Sequence, residues 1–406
     1  MVESLERLRE DGKRRFDALG YPTRRSEMWK YTDIRSIVGG EFGEPASDDI
    51  SARHRDIIER EAAQGPVIVI QNGRLRSDLS SGIDGVDGLS VGQDFAGLAS
   101  VLSQVPDAGD RPFAHLNAAH LQEATVISVA AGAVVEKAVR AFFINGGNSA
   151  FHARIAVSLG ANASATLIET HLGNDEDGYF ANPVSHIHVA DGARLRHYRL
   201  QSEGARALHV ATSLVAVGRD ATYDSFALSL GAELARHEIE ARFDGPGGDL
   251  KLSGAYIAKA GQHLDTTTRI DHLHPDCRSR EVYHGAIADE GRGVFQGSIF
   301  VDPIAQRTDG HQLNRAILLG PGAEIDAKPQ LEIYADDVKC SHGCTAGQLD
   351  QDAMFYLRSR GISEKAAKGL LIKAFLSEAL DEISDETVRE EFDALAQSVL
   401  DEVSHV

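Results

Sequence analysis

HARIAVSLGANASATLIE (152–169), HIHVADGARLRHYRLQ (186–201), HVATSLVAVGRDATYDSFALSLG (209–231) and HEIEARFDGPGGDLKLSGAYIA (237–258) share one texture. Each is a short run of period-2 alternation, a turn at glycine or aspartate, and a second such run. The turn marks Gly160-Ala161, Gly192-Ala193, Asp220-Ala221 and Gly248-Asp249 recur 32, 28 and 28 residues apart, and Gly322-Ala323 closes a later copy. A strand, turn, strand unit repeated at roughly 30 residues buries its apolar face only against its neighbours, which describes stacked β-coils. The alternative is a β-sandwich, although about 220 residues of strand is large for one. The expected fold class is mainly β: a parallel β-helix flanked by N-terminal and C-terminal α-helical regions.

Outward from this core the chain divides into three regions: 1–124 helical and mixed, 125–347 β-helix, and 348–406 helical. In the first, Leu5, Leu8 and Phe16 can line one face of a helix, GGEFGEP (39–45) lies in a polar stretch, and PVIVIQNGRL (66–75) predicts a buried strand turning at Asn72-Gly73. In the last, Asp350 caps a helix that stops at Gly361, and Ser363 opens a second with Ala367, Leu370, Leu371, Ala374 and Phe375 as its apolar stripe. A third follows Ser384, with Val388, Phe392, Leu395, Val399 and Val403 on one side. Residues 376–406 carry ten acids and one base, Arg389, which makes the outer face of this helix negative.

Composition narrows the function. Among 406 residues, 41 Lys and Arg against 61 Asp and Glu leave a net charge of −20, which disfavours nucleic acid and anionic membrane surfaces as partners. The longest near-apolar stretch, 124–135, is too short to span a membrane. The N-terminus, MVESLERLRE, lacks an apolar export core, so the cytoplasm is the expected compartment. Three cysteines, Cys277, Cys340 and Cys344, do not make a disulfide framework.

The densest set of soft ligands is Cys340, His342 and Cys344. On an extended strand these three side chains point to one side and can meet a soft metal or an iron-sulfur species, unless Gly343 breaks the strand first. The bland reading is buried thiols beside a hydrogen-bonded histidine. DHLHPDC (271–277) lacks the glycine and glutamate spacing of a cupin-type metal site, so His272 and His274, like His186 and His188, are expected on an exposed coil face. No phosphate loop and no G-x-S-x-G elbow appears, so neither ATP binding nor serine hydrolysis is expected of this chain. A polysaccharide-active β-helix enzyme using paired carboxylates is the rival function.

PQLEIYADDVKCSHGCTAGQLDQDAMFYLRSRGIS (329–363) closely resembles the signature of the SufB/SufD family of iron-sulfur cluster assembly proteins. REVYHG (280–285) through Gly297, the segment from Gln312 to Gly320, and EMWKYT (27–32) also fit, the hexapeptide nearer the SufD side of the family. The resemblance implies a right-handed β-helix, pairing with SufB through it, and a C-terminal domain that holds the ABC-type ATPase SufC, with no catalysis by this chain. It further implies that His342, with Cys340 as companion, contacts iron or a transient cluster at the SufB interface. Position 344 departs from the alanine of the motif, leaving Cys344 as a further ligand or a small buried residue. The segment holding Phe355, Tyr356, Arg358, Arg360 and Gly361, beside the apolar stripe of the next helix, is the expected partner-binding face, with packing inside the chain as the alternative for that stripe, and a second copy of the chain is a further partner for the isolated protein.

Overall fold

In the computed structural model, which describes residues 4–43 and 49–403, the alternating runs become two long sheets wound as one parallel β-solenoid of about eight turns. Ser164–Gly173, Arg194–Ser202, Thr222–Ser229, Asp249–Ala258, Arg278–Ile287, Asp309–Leu318 and Lys339–Gly347 pair in parallel, in that order, within a ten-stranded sheet. Their first residues lie 27 to 31 positions apart, the period seen in the turn marks. The intervening strands, from Arg154–Leu159 to Glu324–Ile333, together with Leu89–Gly92, Thr125–Val129 and Ala150–Phe151, form an eleven-stranded second sheet facing the first.

The turns recur because the backbone demands it. Asn162, Gly192, Asp220, Gly247, Asp276 and Arg307 all have positive φ, between 51° and 77°, and each occupies the same corner of successive coils. Their amides donate to the next coil, Asn162 to the carbonyl of Asp191, Gly192 to Arg219, Asp220 to Pro246, Gly247 to Pro275 and Asp276 to Gln306. A left-handed corner suits glycine, asparagine and aspartate, so the punctuation is a steric requirement repeated per coil. Between the sheets, Ile155, Val157, Leu195, Tyr223, Leu250, Tyr283 and Phe295 fill the core, each contributing about 1.5–3 kcal/mol of burial.

The two ends differ. At the low-numbered end, Val67–Gln71 joins the first sheet beside Val139–Asn145, and the antiparallel strands Arg74–Leu75 and Leu89–Gly92 close both sheets. At the other end, Glu324–Ile333 and Lys339–Gly347 each have a strand neighbour on one side only among the described residues.

Both termini pack on the outer faces. The segment Glu27–Trp29 lies across the second sheet, where the Arg236 guanidinium sits 4.0 Å from the centroid of a Trp29 ring. Arg236 and Gln296 both donate to the Met28 carbonyl, at 2.8 and 2.9 Å. Arg236 is wholly buried and ion-pairs with Glu238 and Asp265; Thr32 donates to Asp265, and Glu27 pairs with Lys328 in the final coil. EMWKYT therefore has a packing role that composition alone did not suggest.

The C-terminal helices Gln351–Ser359 and Glu364–Leu380 follow the caps read from the sequence, with Asp350 and Ser363 accepting backbone amides, and Glu386–Val403 opens after Asp385, which accepts from the Val388 amide. They cover the outer face of the first sheet, where Ile372, Leu376, Phe392 and Leu400 meet Leu228, Ile257 and Ala286. The stripe expected on Glu364–Leu380 is corrected: Leu370 and Ala374 are exposed, and Ile372, Leu376, Ala379 and Leu380 are buried with Ala367. This helix is apolar on several sides, so spacing alone does not select the buried face. The expectation for His186 and His272 is also corrected, since both are buried. The first three residues of MVESLERLRE, Glu44 and Pro45 of GGEFGEP, and the side chain of Val403 lie outside the described residues. Among the described residues no helix is long and apolar enough to cross a membrane.

Candidate functional site

Cys340, His342 and Cys344 lie on one uninterrupted strand, Lys339–Gly347, at the open end of the first sheet. Gly343 does not break it, because its backbone pairs in register with Leu313. The same register sets Cys340 over Gly310, His342 over Gln312 and Cys344 over Asn314, so all three face the space between the sheets. His342 is exposed, since among the described residues no further coil covers it, and the two thiols are half-buried. Burial raises both thiols above their usual range, so a metal arriving here must displace a proton from sulfur.

Geometry limits what the strand can hold. Four residues of extended chain separate Cys340 and Cys344 by about 13 Å, whereas two thiolates on one ion lie within about 4.6 Å of each other. The two cannot share a metal. His342 can act with one of them, so the three-ligand convergence read from spacing reduces to two donors per ion. Among the described residues no group of three or more His, Cys, Asp or Glu could hold a metal ion, so a full coordination sphere needs donors from elsewhere.

Beneath the strand the interior is polar. A Cβ at Gly310 would lie 3.4 Å from Ser279 Oγ, 3.6 Å from Cys340 Sγ and 3.8 Å from His272 Nε2, so the missing side chain opens a small meeting point of three polar groups. Ser279 and His272 are themselves hydrogen-bonded at 2.8 Å. Beneath His342 stand Gln312 and, one coil lower, Glu281, both buried, with Gln312 Nε2 donating to Glu281 Oε2 at 2.5 Å. On the outer face, His311 bridges Asp309 at 2.6 Å and Ser341 at 2.7 Å.

The other expected site residues sit away from this strand, on the helix Gln351–Ser359 and the turn after it. Phe355 and Tyr356 are 74% and 57% exposed, and Arg360 stacks over the Tyr356 ring while donating to its hydroxyl at 2.7 Å. Arg358 reaches Glu364 at 3.4 Å, and Gly361 takes the positive φ of 86° that ends the helix. Large exposed aromatics beside arginines suit a docking surface.

Sequence reading missed a buried ionic cluster deeper in the solenoid. Glu169 meets His197 at 3.1 Å and His171 at 3.4 Å, while Glu203 meets His209 at 2.7 Å and accepts from Tyr179 at 3.0 Å. Its signal was present as charged residues at inward positions of alternating strands, such as Glu169 and His171.

Residues 142–375 match the family profile described as SUF system FeS cluster assembly, SufBD core domain. The chain belongs to the SufBD family. It is 34% identical to the iron-sulfur cluster assembly protein SufD of Escherichia coli over 92% of this chain and 88% of that one. An iron-sulfur cluster assembly SufBD family protein of Synechocystis is 30% identical, covering 90% of this chain and 84% of its own. Another from Mycobacterium leprae is 29% identical, covering 92% and 89%. This is thus a SufD-like iron-sulfur cluster assembly protein, and its SufBD core spans most of the solenoid, the strand of His342, the first C-terminal helix and most of the second.

Proposed function

We propose that the chain is a non-catalytic scaffold subunit that pairs with SufB across the open end of the solenoid and holds SufC through its C-terminal helices. The observation that carries this reading is the pair of long, uncapped edge strands, Glu324–Ile333 and Lys339–Gly347, with His342 exposed on one of them. Unpaired strand edges recruit another chain, and solenoid ends without a cap are points of assembly. A second copy of this chain is the competing occupant when SufB is absent.

The cluster is the cargo of this assembly. His342 offers a neutral imidazole nitrogen and Cys340 a thiolate, and SufB supplies the donors this strand lacks. Phe355, Tyr356, Arg358 and Arg360 form the face toward SufC. ATP binding by SufC would pull on the helices that overlie the first sheet and so reshape the site near Cys340. The relatives' names favour this over the polysaccharide-active reading, and the cytoplasm is the compartment it requires.

The test is His342→Ala in the complex purified anaerobically from its own cytoplasm. The expected result is unchanged recovery of SufB and SufC with reduced cluster formation. Loss of SufB from the complex would instead make His342 a structural contact. Thiol labelling of Cys340 should rise with ATP in the whole complex, and constant labelling would sink the coupling.

A further inference from the structure

The inward-facing file that ends at His342 is polar for three coils in succession. Glu281, Gln312 and His342 stack in register in the first sheet and Thr268, Gly297 and Pro329 in the second, and Gly297 faces Gln312 across the core. Gln312 Oε1 is buried without a hydrogen-bond partner, although Gln312 Nε2 is bonded to Glu281 Oε2. Orphaned acceptors in a core are costly, so each calls for a partner. The architecture also makes room for this amide: a Cβ at Gly297 would lie 1.9 Å from Gln312 Nε2. Glycine at 297 is what lets the carboxamide stand between the sheets.

We infer that Gln312, anchored from below by Glu281, is a positioning residue for His342. When an ion occupies one nitrogen of the His342 imidazole, the N–H of the other donates to Gln312 Oε1, which fixes the ring plane and tautomer. Glu281 holds the Gln312 amide so that its oxygen, rather than its nitrogen, faces the imidazole. Histidine ligands typically donate their second nitrogen in this way, and losing the acceptor weakens metal binding by about 10–100-fold. This rests on the reading of His342 as a ligand. It adds two residues, Gln312 and Glu281, that do not touch the ion.

The experiment titrates the assembled complex, in which SufB supplies the remaining donors, with Co(II) alone and follows ligand-field absorption, comparing His342→Ala, Gln312→Met and Gln312→Glu in this chain, with thermal midpoints measured alongside. The expected result is binding that requires His342, weakens about 10–100-fold in Gln312→Met, and returns to within about threefold of the parent in Gln312→Glu, whose carboxylate restores an acceptor. His342-dependent binding that Gln312→Met leaves within about twofold overturns the positioning role while the ligand reading stands. Co(II) binding absent, or indifferent to His342→Ala, removes the ligand reading and this inference with it. Failure of Gln312→Glu to recover affinity, with midpoints equal, likewise overturns the hydrogen-bond role.

Discussion

Gln312 donates its side-chain amide to Glu281 one coil below, and this contact sits inside the solenoid rather than on its surface. Burial, partly offset by hydrogen bonds from Thr268 and Gln312, pushes the Glu281 carboxyl up to about 7. In the unfolded chain it ionises near the ordinary value, so between the two the folded state holds the extra proton. Stability from this group is full below about pH 4.5 and is lost as pH rises through about 7. Glu281→Gln removes that loss, an effect on the order of 3 kcal/mol. Urea unfolding at pH 5 and pH 8 should show the variant gaining on the parent at the higher pH, and an equal difference at both would contradict the assignment.

Buried imidazoles give the opposite slope. Burial, with help from His120, holds His152 down to about 3; burial and Arg199 hold His171 down to about 3, and burial holds His272 down to about 4. Each is neutral when folded and protonates near pH 6.5 when unfolded, so stability is full above that value and falls as pH drops toward the folded values. His272→Asn should flatten the acid limb of the thermal midpoint curve between pH 6.5 and 4. A limb of unchanged steepness would show that other groups govern it.

Arg236→Met leaves Asp265 and Glu238 without their buried cation and leaves the Met28 carbonyl with Gln296 alone. Breaking such a pair from one side costs about 3–5 kcal/mol. Trp29 is the only tryptophan in the chain and is buried, so its fluorescence reports this event directly. The variant should show red-shifted emission at denaturant concentrations where the parent is still native, while far-ultraviolet circular dichroism stays strand-like.

At the other surface, Phe355→Ala and Tyr356→Ala remove exposed rings that nothing in this chain buries deeply. Their thermal midpoints should match the parent within error, since surface changes usually fall within about 0.5 kcal/mol. Recovery of SufC should drop, with at least one of the two costing about 2 kcal/mol or more as central aromatic contacts do. Undiminished recovery in both variants would move the docking face elsewhere.

The fold was legible because its signal repeats. The corner residues Asn162, Gly192 and Asp220 must adopt positive φ in every coil, and inward positions must be apolar in every coil, so a weak local pattern is read several times over. The same logic made Asp350, Ser363 and Gly361 readable, since helix ends are local events. What escaped was whatever depends on two distant strands: Leu370 turned outward, His272 turned inward, and Glu169 found His197 across coils. For the site, His342 and Cys340 could be named from their motif, but spacing could not reveal that an unbroken strand keeps Cys340 and Cys344 apart. Nor could it reveal Gln312 and Glu281, whose relation to His342 is purely a matter of register.

The contact of Glu27 with Lys328 joins residues 301 positions apart, across a sheet otherwise built one coil after the next. During synthesis the coils can stack in order as the chain emerges, but the segment holding Trp29 has its polar partners only once Arg236, Asp265 and Gln296 have been made. The beginning of the chain therefore waits for the later coils. Its docking works as a late seal, so a chain cut short before Arg236 would lack the cation that stacks on its tryptophan, a loss visible to the fluorimeter.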